Sequence, residues 1–466
     1  MNNDFPKPSN RVAVIGGGLT GLTIAHALRK QGRPVVIFER TDRLGGHVRS
    51  TRENGFLIEH GPHTLLLPRP ASWPLLQALG LDEKVLEPSP QARRRYVVRA
   101  GRALPLPSGA LDFLKTPLFS AKAKLRVMAE VFSARAKAPD ESLADFVQRH
   151  LGPEFLDYAL DPFVRGVYAG NPRELCLRWA FPRMHALEKN HRSLVLGALA
   201  RKFAAMGKKD VWKTKTFSFA DGMETLPRAL AEGLPPDDVR TGATLTSVAF
   251  TPREQWEIIY ARRGGFAERE VFDTLVLTVP AHDMGDLPLP EKLRGILSPL
   301  RGVAHAAVAV LHQGFRREDV EHPLDGFGVL VPSKEPFEVL GTLFASSTFA
   351  GRAPEGHVLL STYIGGRQRP DLAYADEETQ ARIVARDMGR LLGLKAAPVF
   401  QKRLFYPNAI AQYRAGHGEI VRTCEHAEAE FPGLFLAGNY REGIAASAAL
   451  TRGLDTAGRI LNDFTR

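Results

Sequence analysis

The sequence predicts an α/β fold: a Rossmann-type domain assembled from separated segments, joined by a mixed-sheet domain and a helical insertion domain. Three observations predict it. Residues 11–39 read strand, helix, strand; strands return after residue 239; and the stretch between is basic and helix-rich. Residues 11–15 are a short apolar run of strand type. Residues 20–32 place apolar side chains at helical spacing and end on Gly32, and residues 34–39 are a second strand. Two parallel strands joined by one helix require the right-handed crossover of a doubly wound sheet.

Further along, residues 239–248 and 256–262 read as antiparallel strands. Residues 273–279 read as a buried strand running into Pro280. Residues 434–437 form a strand pattern, followed by Gly438 and a helical pattern over 443–462. Residues from about 98 to 211 are mainly helical, and those from about 291 to 423 mix strands with helices. The expected division is 1–66 with 212–290 and 424–466 as the nucleotide domain, and 67–97 with 291–423 as the substrate domain. Residues 98–211 form the insertion.

Composition narrows the class. At 466 residues, 44% hydrophobic and 24% charged, the chain is an ordinary folded protein with room for two or three domains. Cys176 and Cys424 form no CxxC pair, so neither a disulfide framework nor a zinc site is indicated, and no metal is expected. No signal-type stretch precedes the first strand, and no apolar run approaches the roughly 18 residues that span a bilayer. The expectation is a cytoplasmic protein free to lie on a membrane. The net charge of +11 is uneven: residues 91–215 hold 24 Lys and Arg against 11 Asp and Glu. Such a segment attracts nucleic acid, anionic lipid or a polycarboxylate, although a solvated basic helical face is the plainer account.

Gly16-Gly17-Gly18-Leu19-Thr20-Gly21 fits GxGxxG between a strand and a helix. Gly16 permits the tight turn, Gly18 lets backbone approach a diphosphate, and Gly21 lets the helix pack close to the sheet. The first turn, with Leu19 and Thr20, offers N–H groups and positive potential. Glu39 ends the second strand, where a carboxylate accepts hydrogen bonds from a ribose and repels a 2′-phosphate. FAD and NAD share this signature. Directly after Glu39 and Arg40 come Arg43-Leu44-Gly45-Gly46, a second glycine pair beside the first, and this resembles the extended FAD signature of the glutathione reductase and amine oxidase type flavoproteins. The strand ending at Gly438-Asn439, with the helical segment opening at Gly443-Ile444-Ala445, resembles their C-terminal flavin element. FAD is therefore the expected cofactor, with Leu245 on the 239–248 strand among its contacts.

No HExxH, GxSxG or paired-cysteine motif occurs, and the 14 histidines, His63 and His185 among them, are scattered. Several segments then resemble the oxygen-dependent protoporphyrinogen/coproporphyrinogen oxidase family, in order and over nearly the whole chain. They are Glu59-His60-Gly61-Pro62-His63-Thr64; residues 161–170 (DPFVRGVYAG); residues 181–197; residues 219–227 (FADGMETLP); residues 326–332 (GFGVLVP); residues 363–366 (YIGG); and Gly438-Asn439-Tyr440.

The resemblance implies oxidation of protoporphyrinogen IX to protoporphyrin IX in heme biosynthesis, with oxygen as acceptor and hydrogen peroxide as by-product. It implies no catalytic side chain, since flavin N5 accepts the hydride. Gly61, Pro62, His63 and Thr64 join the flavin contacts. Arg95 is nominated to pair with a substrate propionate, a role suited to its planar, permanently charged fork. Gly166 offers backbone carbonyls near the pyrroles, and Gly328, Leu330, Leu343 and Tyr363 enclose the macrocycle. The expected partners are the porphyrinogen, oxygen, an anionic membrane surface and a second copy as homodimer, with no nucleic acid.

The stretch 120–137 spaces Leu125, Met128, Val131 and Phe132 among Lys122, Lys124, Arg126, Arg135 and Lys137, as an amphipathic helix on anionic lipid would. Packing on its own core is the simpler account. Two places depart from the family. His63 and Thr64 stand where a small polar pair is usual, and residues 443–450 (GIAASAAL) lack the usual polar Asp-Cys or Gly-x-Cys. Both lie near the expected flavin, so redox tuning or acceptor preference differs there. The rival readings are a coproporphyrinogen III oxidase forming coproporphyrin III, a flavin amine or polyene oxidoreductase with an aromatic cage from Tyr363 and Tyr440, and a basic binding protein with a vestigial Rossmann domain.

Overall fold

The computed structural model describes residues 10–67, 72–132, 140–191, 193, 214–441 and 443–463. A five-stranded parallel sheet runs in the order Val239–Arg240, Val35–Phe38, Val12–Ile15, Thr274–Leu277, Leu434–Leu436. Its strands come from three distant parts of the chain, and three of its four neighbouring pairs join those parts; every residue of the inner strands is apolar or buried. The helix Leu19–Lys30 packs against the helix Ala446–Asp463, closely enough that a side-chain carbon at Gly453 would lie 2.6 Å from Thr23 Cβ.

The strand expected over 239–248 is two strands. Val239–Arg240 extends the parallel sheet, Gly242 turns the chain at φ +63°, and Ala243–Phe250 enters a separate antiparallel sheet with Trp256–Arg262 and Ala267–Phe272. The surrounding β-formers hid a break that Gly242, free to take positive φ, marks in the sequence.

A seven-stranded sheet has the order Phe400–Ala411, His305–Arg316, His357–Gly365, Val339–Phe344, Gly326–Leu330, Arg94–Arg99, Arg102–Pro105. The last two strands form a hairpin across Ala100 and Gly101, both at positive φ, so the segment expected to be helical from residue 98 begins with a strand. Strand alternation gives this sheet two faces. On one, Ala309, Leu311, Val329, Phe344, Leu360 and Ile364 pack under the helix Glu377–Leu392 through Ile383, Val384 and Met388. The other face looks toward the glycine-rich first domain.

The hairpin Ser50–Glu53/Phe56–Glu59 ties the two sheets together. Its Phe56 ring stacks on Phe400 at 4.8 Å, and Glu59 at its end is buried. The Glu59 carboxylate accepts from Ser50 Oγ at 2.6 Å and Met223 N–H at 3.0 Å, and lies 3.6 Å from the guanidinium of Arg352. Arg352, also buried, donates to Ser218 Oγ at 2.7 Å and to the carbonyls of Phe219 and Ala220 at 3.0 and 3.2 Å.

In the helical region, the described part of residues 120–137 divides into the helix Ala121–Met128, capped by Ser120 Oγ, and a tighter turn, Ala129–Phe132. Leu125, Met128 and Val131 are 66%, 68% and 40% exposed, so this face packs on no core among the described residues. Arg135, Lys137 and the side chain of Phe132 lie outside the description, as do residues 192 and 194–197 of the 181–197 segment. Among the described residues, no helix is long and apolar enough to cross a membrane.

Burial pushes the Glu59 carboxyl up to about 7 from its ordinary 4.5, against the opposing pull of Ser50 and Arg352. A group whose folded pKa is raised binds protons in the folded state that the unfolded chain has released. Its stabilisation is complete below about pH 4.5 and is lost as pH rises through 7. The Glu59→Gln protein should therefore gain on wild type between pH 5 and 8, by up to about 3 kcal/mol, as read from denaturant unfolding. Parallel stability curves across that range would refute this.

Candidate active site

The glycines of the first turn divide their roles as the spacing predicts. Gly16 sits at φ +109°, with Thr278 Oγ1 closing beneath it through hydrogen bonds to the Ile15 and Gly16 carbonyls, both 2.9 Å. A side-chain carbon at Gly21 would fall 2.1 Å from the Gly16 carbonyl oxygen, so only glycine lets the helix seat against its strand. At Gly18 the same carbon would meet nothing within 4 Å. That open cradle at the start of the Leu19–Lys30 helix is what a diphosphate needs.

The second glycine pair lies against the first. Gly45 N–H donates to the Gly17 carbonyl at 2.8 Å, and a carbon on Gly46 would lie 3.1 Å from Gly18 Cα. Arg43 folds back onto the carbonyls of Leu44 and Gly46, bracing the loop, whereas Arg40 is exposed and 3.9 Å from Asp283. Glu39 accepts from Gly17 N–H and from Thr41 N–H and Oγ1, each at 2.8 Å. Leu245 is brought near it because Ala243 N–H donates to the Glu39 carbonyl at 2.9 Å. Gly61 sits so close beneath the His47 carbonyl that a side-chain carbon would be 2.2 Å away, and Pro62, His63 and Thr64 follow, half-buried. Across the cleft, Tyr413 holds the Asn439 carbonyl beside Gly438. Gly443 turns at φ +75°, and Ile444 and Ala445 lead into the Ala446–Asp463 helix, whose first turn stays partly accessible.

The apolar candidates share the open face of the seven-stranded sheet. Leu330 pairs with Gly341, Gly341 with Tyr363, and Tyr363 with Val310; Gly328 pairs with Leu343, Leu343 with Ser361, and Ser361 with His312. Paired residues point to one side of a sheet, so these two rows form one floor. Gly166 reaches it from above: a carbon there would lie 2.3 Å from Leu330 Cδ2, so the helix Asp161–Tyr168 touches the floor only because that residue is glycine. Arg95 stands two residues from Val97, the partner of Leu330. Arg94 is bound to Asp325 at 2.6 Å, while Arg95 is exposed over the Phe327 ring, 5.5 Å away, with no carboxylate partner among the described residues.

Two buried residues of this floor left no local signal in the sequence. His312, 0% exposed, and Ser361, its partner at 2.9 Å, arrive by strand register alone. The His63 ring lies between His312, 5.9 Å away, and Tyr363, 6.4 Å away. Burial lowers His63 to about 4, Arg352 adding to the effect, and holds His312 well below the ordinary imidazole value. Burial raises the Tyr363 phenol. The His63 and His312 imidazoles and the Tyr363 phenol are thus uncharged at neutral pH. Tyr440 is 0% exposed within another cluster, so it forms no aromatic cage with Tyr363.

Residues 19–461 match the family described as flavin containing amine oxidoreductase. The mitochondrial protoporphyrinogen oxidase of Nicotiana tabacum is 33% identical, covering 98% of this chain and 96% of that protein. The human protoporphyrinogen oxidase is 30% identical, covering 97% and 98%. A crystal structure from Exiguobacterium, provisionally described as a protoporphyrinogen oxidase, superposes with a TM-score of 0.81 at 23% identity, covering 98% and 99%. Cyclohexylamine oxidase from Brevibacterium oxydans superposes with a TM-score of 0.69 at 15% identity, covering 98% and 100%. These two likenesses speak for the fold, and the family match for FAD as the cofactor held by it. With an open glycine cradle at the head of its first helix and such relatives along its full length, the chain belongs to the protoporphyrinogen oxidases of the flavin-containing amine oxidoreductase family.

Proposed function

We propose that the protein oxidises protoporphyrinogen IX to protoporphyrin IX in heme biosynthesis, using oxygen as acceptor and releasing hydrogen peroxide. The observation that carries this reading is the broad, uncharged floor of Gly328, Leu330, Leu343 and Tyr363 facing the Gly61–Thr64 turn. A flat macrocycle of apolar body and few carboxylates suits such a floor. Bound FAD supplies a hydride acceptor that passes its electrons to oxygen. The chain's residues position the substrate: the floor and Gly166 hold one methylene bridge in place, and Arg95 takes a propionate at the rim. No strong base is needed, because an electron-rich porphyrinogen gives up hydride from a meso carbon first.

Gly16, Gly18 and Gly21 with Glu39, Gly45 and Gly46 would hold the dinucleotide end. Gly61–Thr64 and the 443–445 turn would hold the flavin. The division into FAD, substrate and helical domains is our assignment, with the strand Arg102–Pro105 moved from the helical to the substrate domain because it pairs in the seven-stranded sheet. The coproporphyrinogen reading would want several cations for four carboxylates. Near the floor, Lys402 is already engaged 3.1 Å from Glu53, and the dicarboxylate is the substrate we favour. The outward Leu111, Leu114, Leu125 and Met128, beside exposed Lys115, Lys122 and Arg126, support a peripheral seat on anionic membrane, reached from the cytoplasm.

Offered protoporphyrinogen and coproporphyrinogen separately in air, the enzyme should generate porphyrin fluorescence faster with the former, with peroxide formed. Fluorescence no faster than autoxidation with either would end the assignment. Arg95→Ala should raise KM on the order of tenfold, the loss of one charge-assisted contact, with flavin content intact; an unchanged KM removes its role. Gly166→Val should abolish turnover through Leu330 while the 450 nm flavin band remains, and normal turnover would refute the floor. Gly18→Val should purify folded but depleted of FAD, judged by thermal unfolding and absorbance; full flavin loading would show that the diphosphate lies elsewhere.

A further inference from the structure

We propose that His63 is the proton carrier of this site, taking a pyrrole N–H proton as the meso carbon loses hydride and returning it as oxygen is reduced to peroxide, with His312 and Ser361 as its positioning residues. This rests on the function proposed above.

Geometry sets His63 apart from the other ionisable groups around the cavity. Glu59 is bound by Ser50, Met223 and Arg352, and His60 is paired with Thr51 Oγ1 at 3.0 Å. Burial keeps the Tyr363 phenol protonated. His63 stands deep in the molecule yet keeps accessible surface, as a cavity-lining group does, and no hydrogen bond to a described residue ties its ring. Behind it, His312 is completely buried. Its Nδ1 is fixed 2.9 Å from Ser361 Oγ, and its Nε2 has no partner among the described residues. Leaving a buried ring nitrogen unanswered costs about 1–3 kcal/mol. Packing alone would favour an apolar side chain there, so a second imidazole tilted 31° against the first points to a use.

The chemistry balances. When the meso C–H bond breaks, its electron pair leaves with the hydride and the macrocycle becomes a cation. The N–H bond then breaks, its electron pair neutralises the ring, and the proton goes to an imidazole nitrogen of His63. Because that N–H belongs to a cation, it is acidic, and a weak neutral base is sufficient. Oxygen later receives two electrons and two protons, one derived from the hydride and one from His63. Substrate loses two hydrogens, oxygen becomes peroxide, and the imidazole is neutral again. Burial, with Arg352 adding to it, ensures that His63 begins each cycle unprotonated.

The test uses FAD-loaded wild type, His63→Ala, His63→Asn and His312→Phe. Anaerobic mixing with protoporphyrinogen reads flavin bleaching. Mixing the porphyrinogen-reduced enzyme, in which His63 has received its proton, with oxygen reads reoxidation. Removing a proton carrier costs roughly 100-fold, the lower end for general acid–base groups. Both rates should fall by that factor in His63→Ala and His63→Asn, added imidazole should restore the Ala variant, and His312→Phe should show a smaller loss. The midpoint potential should stay within about 30 mV, a tenfold change in the two-electron equilibrium. Unchanged rates overturn the proposal, and so does a slowed variant that imidazole leaves slow or whose potential moves further. If wild type itself is not bleached by porphyrinogen, the substrate assignment fails and the role of His63 falls with it; bleaching of wild type with unchanged variant rates overturns the role of His63 alone.

Discussion

A buried carboxylate and a buried guanidinium hold this site together. Glu59 ends a strand of the hairpin that follows the glycine-rich turn, and Arg352 comes from the loop leading into the His357–Gly365 strand of the large sheet. Neither charge is left to the other alone: Ser50 and Met223 answer Glu59, and Ser218 with two carbonyls answers Arg352. Desolvation makes such a pair a poor source of net stability, but breaking it strands a buried charge. The geometry it enforces is the consequence that matters. Gly61–Thr64 follow directly from Glu59 and are held opposite Ser361 and Tyr363.

Around that fixed spacing, the site is defined more by atoms left out than by groups put in. Gly18 leaves room at the head of a helix, and Gly166 lets another helix meet Leu330. The wall between them carries neutral imidazoles and a phenol, none charged at neutral pH. An electron-rich donor that gives up hydride needs position and a dry surface above all. A site for amine oxidation would place aromatic walls about its nitrogen, and Tyr440, sealed in another cluster, offers no such wall. The chemistry and the architecture therefore ask much of shape, and of reactive side chains only the proton carrier proposed above.

Sequence by itself determined the features whose physics is local. The strand, glycine turn and helix of residues 11–32, the carboxylate at Glu39 and the second glycine pair at Gly45-Gly46 are each set by neighbours a few residues away. Turn sterics, helix-end N–H groups and side-chain periodicity act at that range. The break at Gly242 and the hairpin at Ala100-Gly101 are also local, yet Ala100 gives no glycine-type signal and runs of β-formers mask both. Tertiary structure alone decided which residues share a surface. Tyr363, Leu330 and Gly328 were nominated through family likeness, but His312 and Ser361 come together by strand pairing across dozens of residues, and Arg352 arrives from a loop by its ion pair with Glu59. A one-residue change of register would turn every one of the floor's side chains to the opposite face. Register is fixed by the burial of Ala309, Leu311 and Leu360 beneath a helix on the far side, and that is a property of the packed whole.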